Sequence, residues 1–232
     1  MKLRRLYRLV LILFLLTGCN YGGQIEIDWV DFIKWNNKEY HGVYTGFISD
    51  PSLIGEKIGK TTFKVSDSIN DPEYKTKNGD AAFLPKGTTL FEVKGRPGFI
   101  AVKDKYEING YKLYVEYNSK HDRFWFKHIP IDQVTKIETY AIDPHNDVDR
   151  TLKQTLSGKE EIDHILFLLT TSKEKPSYQP DMKDGDPLMY EMTFYTGEPI
   201  AYKLSVHYDK INYYFHPDDT NLIDDKIALF FR

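Results

Sequence analysis

Cys19 carries the only thiol in 232 residues, so any chemistry that needs a soft nucleophile or a thiolate ligand must run through that one sulfur. The other groups able to bind metal or move protons are 7 histidines and 34 aspartates and glutamates. No Gly-x-Ser-x-Gly elbow presents a serine nucleophile, and no His-Glu-x-x-His spacing presents a zinc pair. Asn78-Gly79-Asp80 and Gly95-Arg96-Pro97-Gly98 lack the Gly-x-x-x-x-Gly-Lys spacing that cradles phosphate. The two carboxylates of a glycosidase are brought together by the fold, so spacing alone singles out no pair. The sequence therefore nominates no catalytic residue, no metal-ligand set and no cofactor.

Four weaker constellations set expectations. His207 and His216 fall on neighbouring strands. A register that keeps apolar residues together sets Tyr208 against Ile211, Val206 against Tyr213 and Leu204 against Phe215, with His216 opposite Lys203. It leaves the two histidines about 13 Å apart, too far to share one ion. His121 and His128 flank Phe124-Trp125-Phe126 and read as the exposed ends of an aromatic strand. Asp143 to Asp149 alternates oxygen ligands like the start of a calcium loop. Val148 stands where glycine must turn the chain, however, and Gln154 where a bidentate glutamate should close the site. It is read as a solvated loop before a helix, and the clusters Asp181, Asp184, Asp186, Asp218-Asp219 and Asp224-Asp225 are likewise read as solvated. Trp29, Trp35, Tyr40, Tyr44 and the Phe124-Trp125-Phe126 run have the character of a glycan, peptide or lipid strip, yet aromatics alternating on strands default to core.

The segment before Cys19 gives that residue a meaning. Lys2, Arg4, Arg5 and Arg8 lead an unbroken apolar run from Leu9 to Leu16, and Leu16-Thr17-Gly18-Cys19 closes it. This pattern resembles the lipobox of bacterial lipoproteins. The resemblance implies a signal peptide over residues 1–18, read by a signal peptidase through Leu16, Thr17 and Gly18 and cut before Cys19. It also implies a diacylglyceryl group on the Cys19 sulfur and a freed amino group open to acylation. Eight apolar residues rise only about 12 Å against a hydrocarbon core of ~30 Å, which favours cleavage over a permanent span. A further stretch, Asn78-Gly79-Asp80-Ala81-Ala82-Phe83-Leu84-Pro85-Lys86-Gly87-Thr88 into Leu90-Phe91-Glu92-Val93-Lys94-Gly95, resembles one in uncharacterised lipoproteins of Gram-positive, Bacillus-like bacteria. That likeness implies the outer face of the cell membrane and brings no activity with it.

Maturation would change the charge. Removing four bases and no acids takes the formal net charge from −3 to (31 − 4) − 34 = −7. An acidic body is repelled by anionic lipid and by nucleic acid, so nucleic acid is excluded as a partner and the membrane is expected to be held through acyl chains. With Cys19 lipidated no thiol remains for a disulfide, and the fold must rest on its core.

The elements that must position any site read as α+β. Residues 19–24 form the lipidated cysteine and a short tether. Residues 25–128 read as a mostly antiparallel β segment, punctuated at Asn36-Asn37, Asn78-Gly79-Asp80, Pro85-Lys86-Gly87, Arg96-Pro97-Gly98 and Asn109-Gly110. Asn109-Gly110 predicts a two-residue hairpin with Glu107 opposite Lys112, Tyr106 opposite Leu113 and Lys103 opposite Glu116. Residues 129–232 read as β-α-β-β-β: a strand over Val134–Ile142, then a helix after a Ser157 to Glu160 capping box with Ile162, Ile165, Leu166 and Leu169 on one face. Strands at Leu188–Tyr195, Ile200–Tyr208 and Ile211–His216 follow, then a last element over Leu222–Phe231. One helix packed on a sheet is the expectation. The expected function is a lipid-anchored extracytoplasmic module, non-enzymatic, that binds an envelope protein, peptide or polymer near the membrane. The alternative is an envelope hydrolase using a carboxylate pair or a divalent metal.

Overall fold

The computed structural model describes residues 27–117, 124–217 and 219–232. The chain is β-rich, with two sheets and, among the described residues, one α-helix. No helix among those residues is long and apolar enough to cross a membrane. Cys19 and its neighbours Leu16, Thr17 and Gly18 lie outside the described residues, as does His121.

The first half supplies β1 (Phe32–Trp35), β2 (Lys38–Val43), β3 (Gly46–Ile48), β4 (Ile54–Lys60) and β5 (Phe63–Lys64). It continues with β6 (Asp80–Ala81), β7 (Thr89–Val93), β8 (Phe99–Lys103) and β9 (Tyr111–Glu116). All but β3 form one sheet in the order β4-β7-β8-β9-β2-β1-β6-β5, antiparallel except for the β5–β6 pair. Phe99, Ile100, Ala101 and Val102 are buried in succession, because β8 packs one apolar cluster on each face. A continuous apolar run is what such a doubly covered strand requires.

The second half supplies β10 (Lys136–Asp143), β11 (Asn146–Leu156), the helix α1 (Lys159–Thr170), β12 (Lys173–Glu174), β13 (Leu188–Tyr195), β14 (Ile200–Tyr208), β15 (Tyr213–Phe215) and β16 (Asn221–Ile223). A 3₁₀ turn over Asp225–Phe230 closes it. Its sheet runs β11-β10-β13-β14-β15-β16-β12. Ile162, Ile165, Leu166, Leu168 and Leu169 of α1 bury one apolar face of this sheet, meeting Met192, Phe194, Val206 and Phe215. That face is a helix-on-sheet core.

β3 leaves the first sheet and pairs with β14 of the second, Ile48 against Ile200 and Gly46 against Tyr202. Ile48, Ile200 and Phe124 share a buried cluster with Val43, Phe99 and Leu113, which joins the two sheets.

Several local expectations are corrected. The hairpin between β8 and β9 pairs Lys103 with Tyr111 and Val102 with Lys112, so its connection is the seven residues 104–110. Asn109 and Gly110 do take positive φ, 62° and 76°, as their types favour. Tertiary contacts override the short turn: Asn109 donates its amide to the carbonyls of Ile48 and Ser49, and Ile108 packs on the Phe47 cluster. Glu107 pairs with Lys203 and Lys112 with Asp31, not with each other. Gly158, not Ser157, is the N-cap of α1, and no side chain caps it. The stretch from Asp143 to Leu156 is a β-hairpin, β11 being an 11-residue strand and no loop before a helix. Phe126–His128 is a 3₁₀ turn, so the Phe124-Trp125-Phe126 run is not a strand.

Candidate functional site

β14 is shared. Along one edge it pairs with β3 over Ile200–Tyr202 and with β15 over His207 and Tyr208, and the two partners are collinear. The N–H of Lys203 goes to Thr45 and that of Asp209 to Asn212, so the backbone of Ser205, of the same parity, points into the break between them. Ser205 is exposed there. A groove of about 360 Å³ opens over the break, walled by Tyr44, Trp125, His207 and His216, with Phe124, Phe126 and Leu204 beneath and Glu191 and Lys203 alongside.

Each wall has a cause in the chain. Gly46 begins β3 without a side chain because a Cβ there would sit 2.8 Å from the ring of Phe124. Tyr44 is 62% exposed, while its hydroxyl donates to the buried Asp31, which also receives Tyr114 and the ammonium of Lys112. Burial, then the Asp31 charge, pushes the Tyr44 phenol up to about 12, so it stays protonated and donating. Trp125 is 45% exposed and stacks on His128.

The floor charges are held in pairs. Lys203, 8% exposed at its side chain, meets Glu107 at 2.7 Å. Arg150 meets Glu191 at 3.0 Å through Nε and also donates to the carbonyl of Tyr106. Glu138, on the same face of the sheet, is held below its ordinary value: burial opposes ionisation, but hydrogen bonds from Lys136, Tyr140 and Tyr195 outweigh it. Among the described residues Glu191 is the one carboxylate lining the groove, and its partner is a guanidinium.

The histidine geometry corrects the sequence register. His207 faces Tyr214 and Tyr208 faces Tyr213, which brings the His207 and His216 rings to 5.9 Å. The turn uses four residues, not two, because Asp209 accepts the N–H groups of Ile211 and Asn212 and the Tyr178 hydroxyl, and Lys210 takes a φ of 72°. Burial, then the neighbouring His216, lowers the pKa of His207. His216 Nδ1 lies 3.1 Å from the Thr220 hydroxyl. No group of three or more histidine, cysteine or acidic side chains poised for a metal occurs among the described residues.

Several of the remaining nominated residues have structural partners. Asp143 accepts the N–H of His145 within the β10–β11 turn, Asp224 caps the final 3₁₀ turn, and Asp181 accepts from Lys183. Asp184, Asp186 and Asp225 are exposed, Asp219 accepts the N–H of Thr220, and Asp218 lies outside the described residues. Ser172 and Lys175 stand at Ser-x-x-Lys spacing, but the Ser172 hydroxyl is given to Leu169 and the Lys175 ammonium lies over the Tyr178 ring. Of the aromatics, Tyr40 and Phe124 are buried, and Trp29, Trp35 and Phe126 pack partly buried against clusters. Tyr44 and Trp125 depart from the core default, and both reach the groove. The sequence could not single them out, because nothing local links residues 44, 125 and 205.

Comparison with protein-family models, with curated proteins and with solved structures finds no match to this chain. The functional reading rests on the groove and on the sequence before Cys19.

Proposed function

We propose that this chain is a lipoprotein, cut before Cys19 and held by acyl chains on the outer face of the cell membrane, that binds an envelope protein, peptide or polymer in the groove over β14. The mostly β segment 25–128 and the α+β segment 129–232 act together in this reading, since β3 belongs by sequence to the first and by pairing to the second. The observation that carries it is the groove lining: two exposed aromatic side chains beside a strand edge at Ser205 that, among the described residues, lies between two partner strands, with Glu191, the one carboxylate among the described lining residues, tied to Arg150. Exposed tyrosine and tryptophan give large contact area at small entropic cost, and an open strand edge offers backbone hydrogen bonds to an extended chain. The alternative, an envelope hydrolase using a carboxylate pair or a divalent metal, would in its carboxylate form need a second carboxylate converging on Glu191, and the described groove lining favours the binding reading.

Two measurements test it. Metabolic labelling with a radioactive fatty acid should mark the wild type and leave Cys19→Ala unlabelled; equal label in both would remove the anchor. A benzophenone amino acid replacing Trp125 should form an adduct in intact cells that the same group at Phe167, on the exposed side of α1, does not form. Identical products at the two positions would remove the groove as the binding site.

A further inference from the structure

We propose that His207 and His216 form a two-histidine site for a divalent transition-metal ion of the zinc type on the wall of the groove over β14. The site lies within the groove and does not depend on the lipid anchor.

The register read from the sequence separates the two residues by about 13 Å. The four-residue turn at Asp209 shifts that register, and the ring centres come to 5.9 Å with their planes tilted by 55°. An imidazole nitrogen binds zinc at about 2.0–2.1 Å, which places each ring centre about 3.2 Å from the ion and two rings on one ion roughly 5–6.5 Å apart. The observed separation falls within that span.

Both rings are presented to the groove. His216 is exposed, His207 is half-buried, and both line it. Tyr214 stacks on His207 at 5.2 Å and meets His216 at 5.6 Å with the planes 75° apart, so the two rings are positioned through their carbon faces. His216 Nδ1 lies 3.1 Å from the Thr220 hydroxyl. That contact orients the ring and leaves Nε2 as the donor atom, the way an outer oxygen sets a metal-binding histidine. Neither nitrogen of His207 is hydrogen-bonded to a described residue, so both are open to a ligand from the groove.

Donor chemistry selects the occupant. Imidazole nitrogen suits zinc, copper and nickel, whereas calcium and magnesium take oxygen. Lys203 is paired with Glu107 at 2.7 Å and Arg150 with Glu191 at 3.0 Å, so neither groove cation stands uncompensated against a metal ion. No third histidine, cysteine or acidic side chain among the described residues completes the set. Zinc prefers four ligands, so the remaining positions fall to water or to donor atoms of whatever the groove binds. With Glu191 held by Arg150, the ion serves as a binding contact and not as a hydrolytic centre.

The test uses the whole protein purified from cells in detergent, without a histidine tag and stripped of metal. Zinc titrated by calorimetry should bind at one equivalent. His207→Gln and His216→Gln should each weaken it about tenfold or more, since losing a ligand costs at least as much as losing its orienting partner. His145→Gln, in the exposed β10–β11 turn, should leave it unchanged. A second readout needs no variant: in wild type labelled at histidine carbon, zinc should shift the ring resonances of two of the seven histidines, and calcium none. Zinc that shifts no histidine, or shifts all alike, overturns the site, as does wild-type affinity in both groove variants. Neither result touches the groove's role in binding a partner, which crosslinking at Trp125 decides.

Discussion

The two faces of the second sheet use the same strands for opposite ends. Toward α1, Ile137, Met192, Phe194, Val206 and Phe215 are fully buried, and the face is closed mainly by hydrophobic contact, with the buried Thr139 hydroxyl donating to the Phe230 carbonyl. Toward the first half, Glu138, Tyr140, Glu191, Lys203 and His207 occupy the alternate positions, and the contact adds to the apolar clusters around Ile48 and Phe47 the Lys203–Glu107 ion pair and the hydrogen bond from Arg150 to the carbonyl of Tyr106. An apolar face tolerates many packings, whereas a paired charge accepts one geometry. The first face supplies stability, and the second fixes where the groove lies.

That contrast can be broken from either side. The largest effect is expected from Phe194→Ala, which should cost about 4 kcal/mol in denaturant unfolding by leaving a cavity under α1. Trp125→Ala, on the groove side and half exposed, should cost under about 1 kcal/mol; comparable losses would erase the distinction. Next, Lys203→Ala strands the Glu107 carboxylate and should cost about 3 kcal/mol, while Lys203→Met with Glu107→Leu should recover most of it. A double variant as unstable as the single one would show that the pair does more than satisfy its own burial. Gly46→Ala drives a Cβ to within 2.8 Å of the Phe124 ring and should cost about 1–3 kcal/mol, with a change in Trp125 fluorescence as the groove floor moves. Gly110→Val, at a φ of 76° with open space around it, should cost ~1 kcal/mol through backbone strain alone.

The smallest effect concerns pH. His207 is lowered in the folded state, so on acidification the unfolded chain takes up that proton first. Stability should be unaffected above pH ~7 and should fall as pH drops below about 6.5, a loss that His207→Gln removes. Glu138 and Asp209 are also lowered, but as carboxylates they stabilise above their ordinary values and lose that contribution only below about pH 4.5. Stability curves of wild type and His207→Gln that coincide from pH 7 to 5 would contradict the first assignment.

How legible the molecule was depended on where its information sits. In β13 and β14 apolar Met192, Phe194, Leu204 and Val206 alternate with polar Glu191, Thr193, Lys203 and Ser205 because only one face of each packs under α1, and α1 shows its stripe because it packs on one side only. β11 was missed: it is a sheet edge rich in Asp, Arg, Lys, Gln and Thr, and a bulge opposite Thr139 and Tyr140 breaks its period. The His207 to His216 spacing failed on a two-residue difference in one turn, decided by Asp209 capturing backbone N–H groups. The groove was illegible because its two flanking strands come from opposite halves of the chain, joined only by their common partner.

β3 also constrains the order in which the chain can fold. Ile48 pairs with Ile200, a separation of 200 − 48 = 152 residues. Non-local closures of this kind are slow, because the loop entropy is lost before the contact forms. The edge of β3 therefore stays open through most of synthesis, and the segment that completes it arrives among the last. A chain truncated before Ile200 would retain a naked strand, the condition in which edge pairing between copies competes with folding.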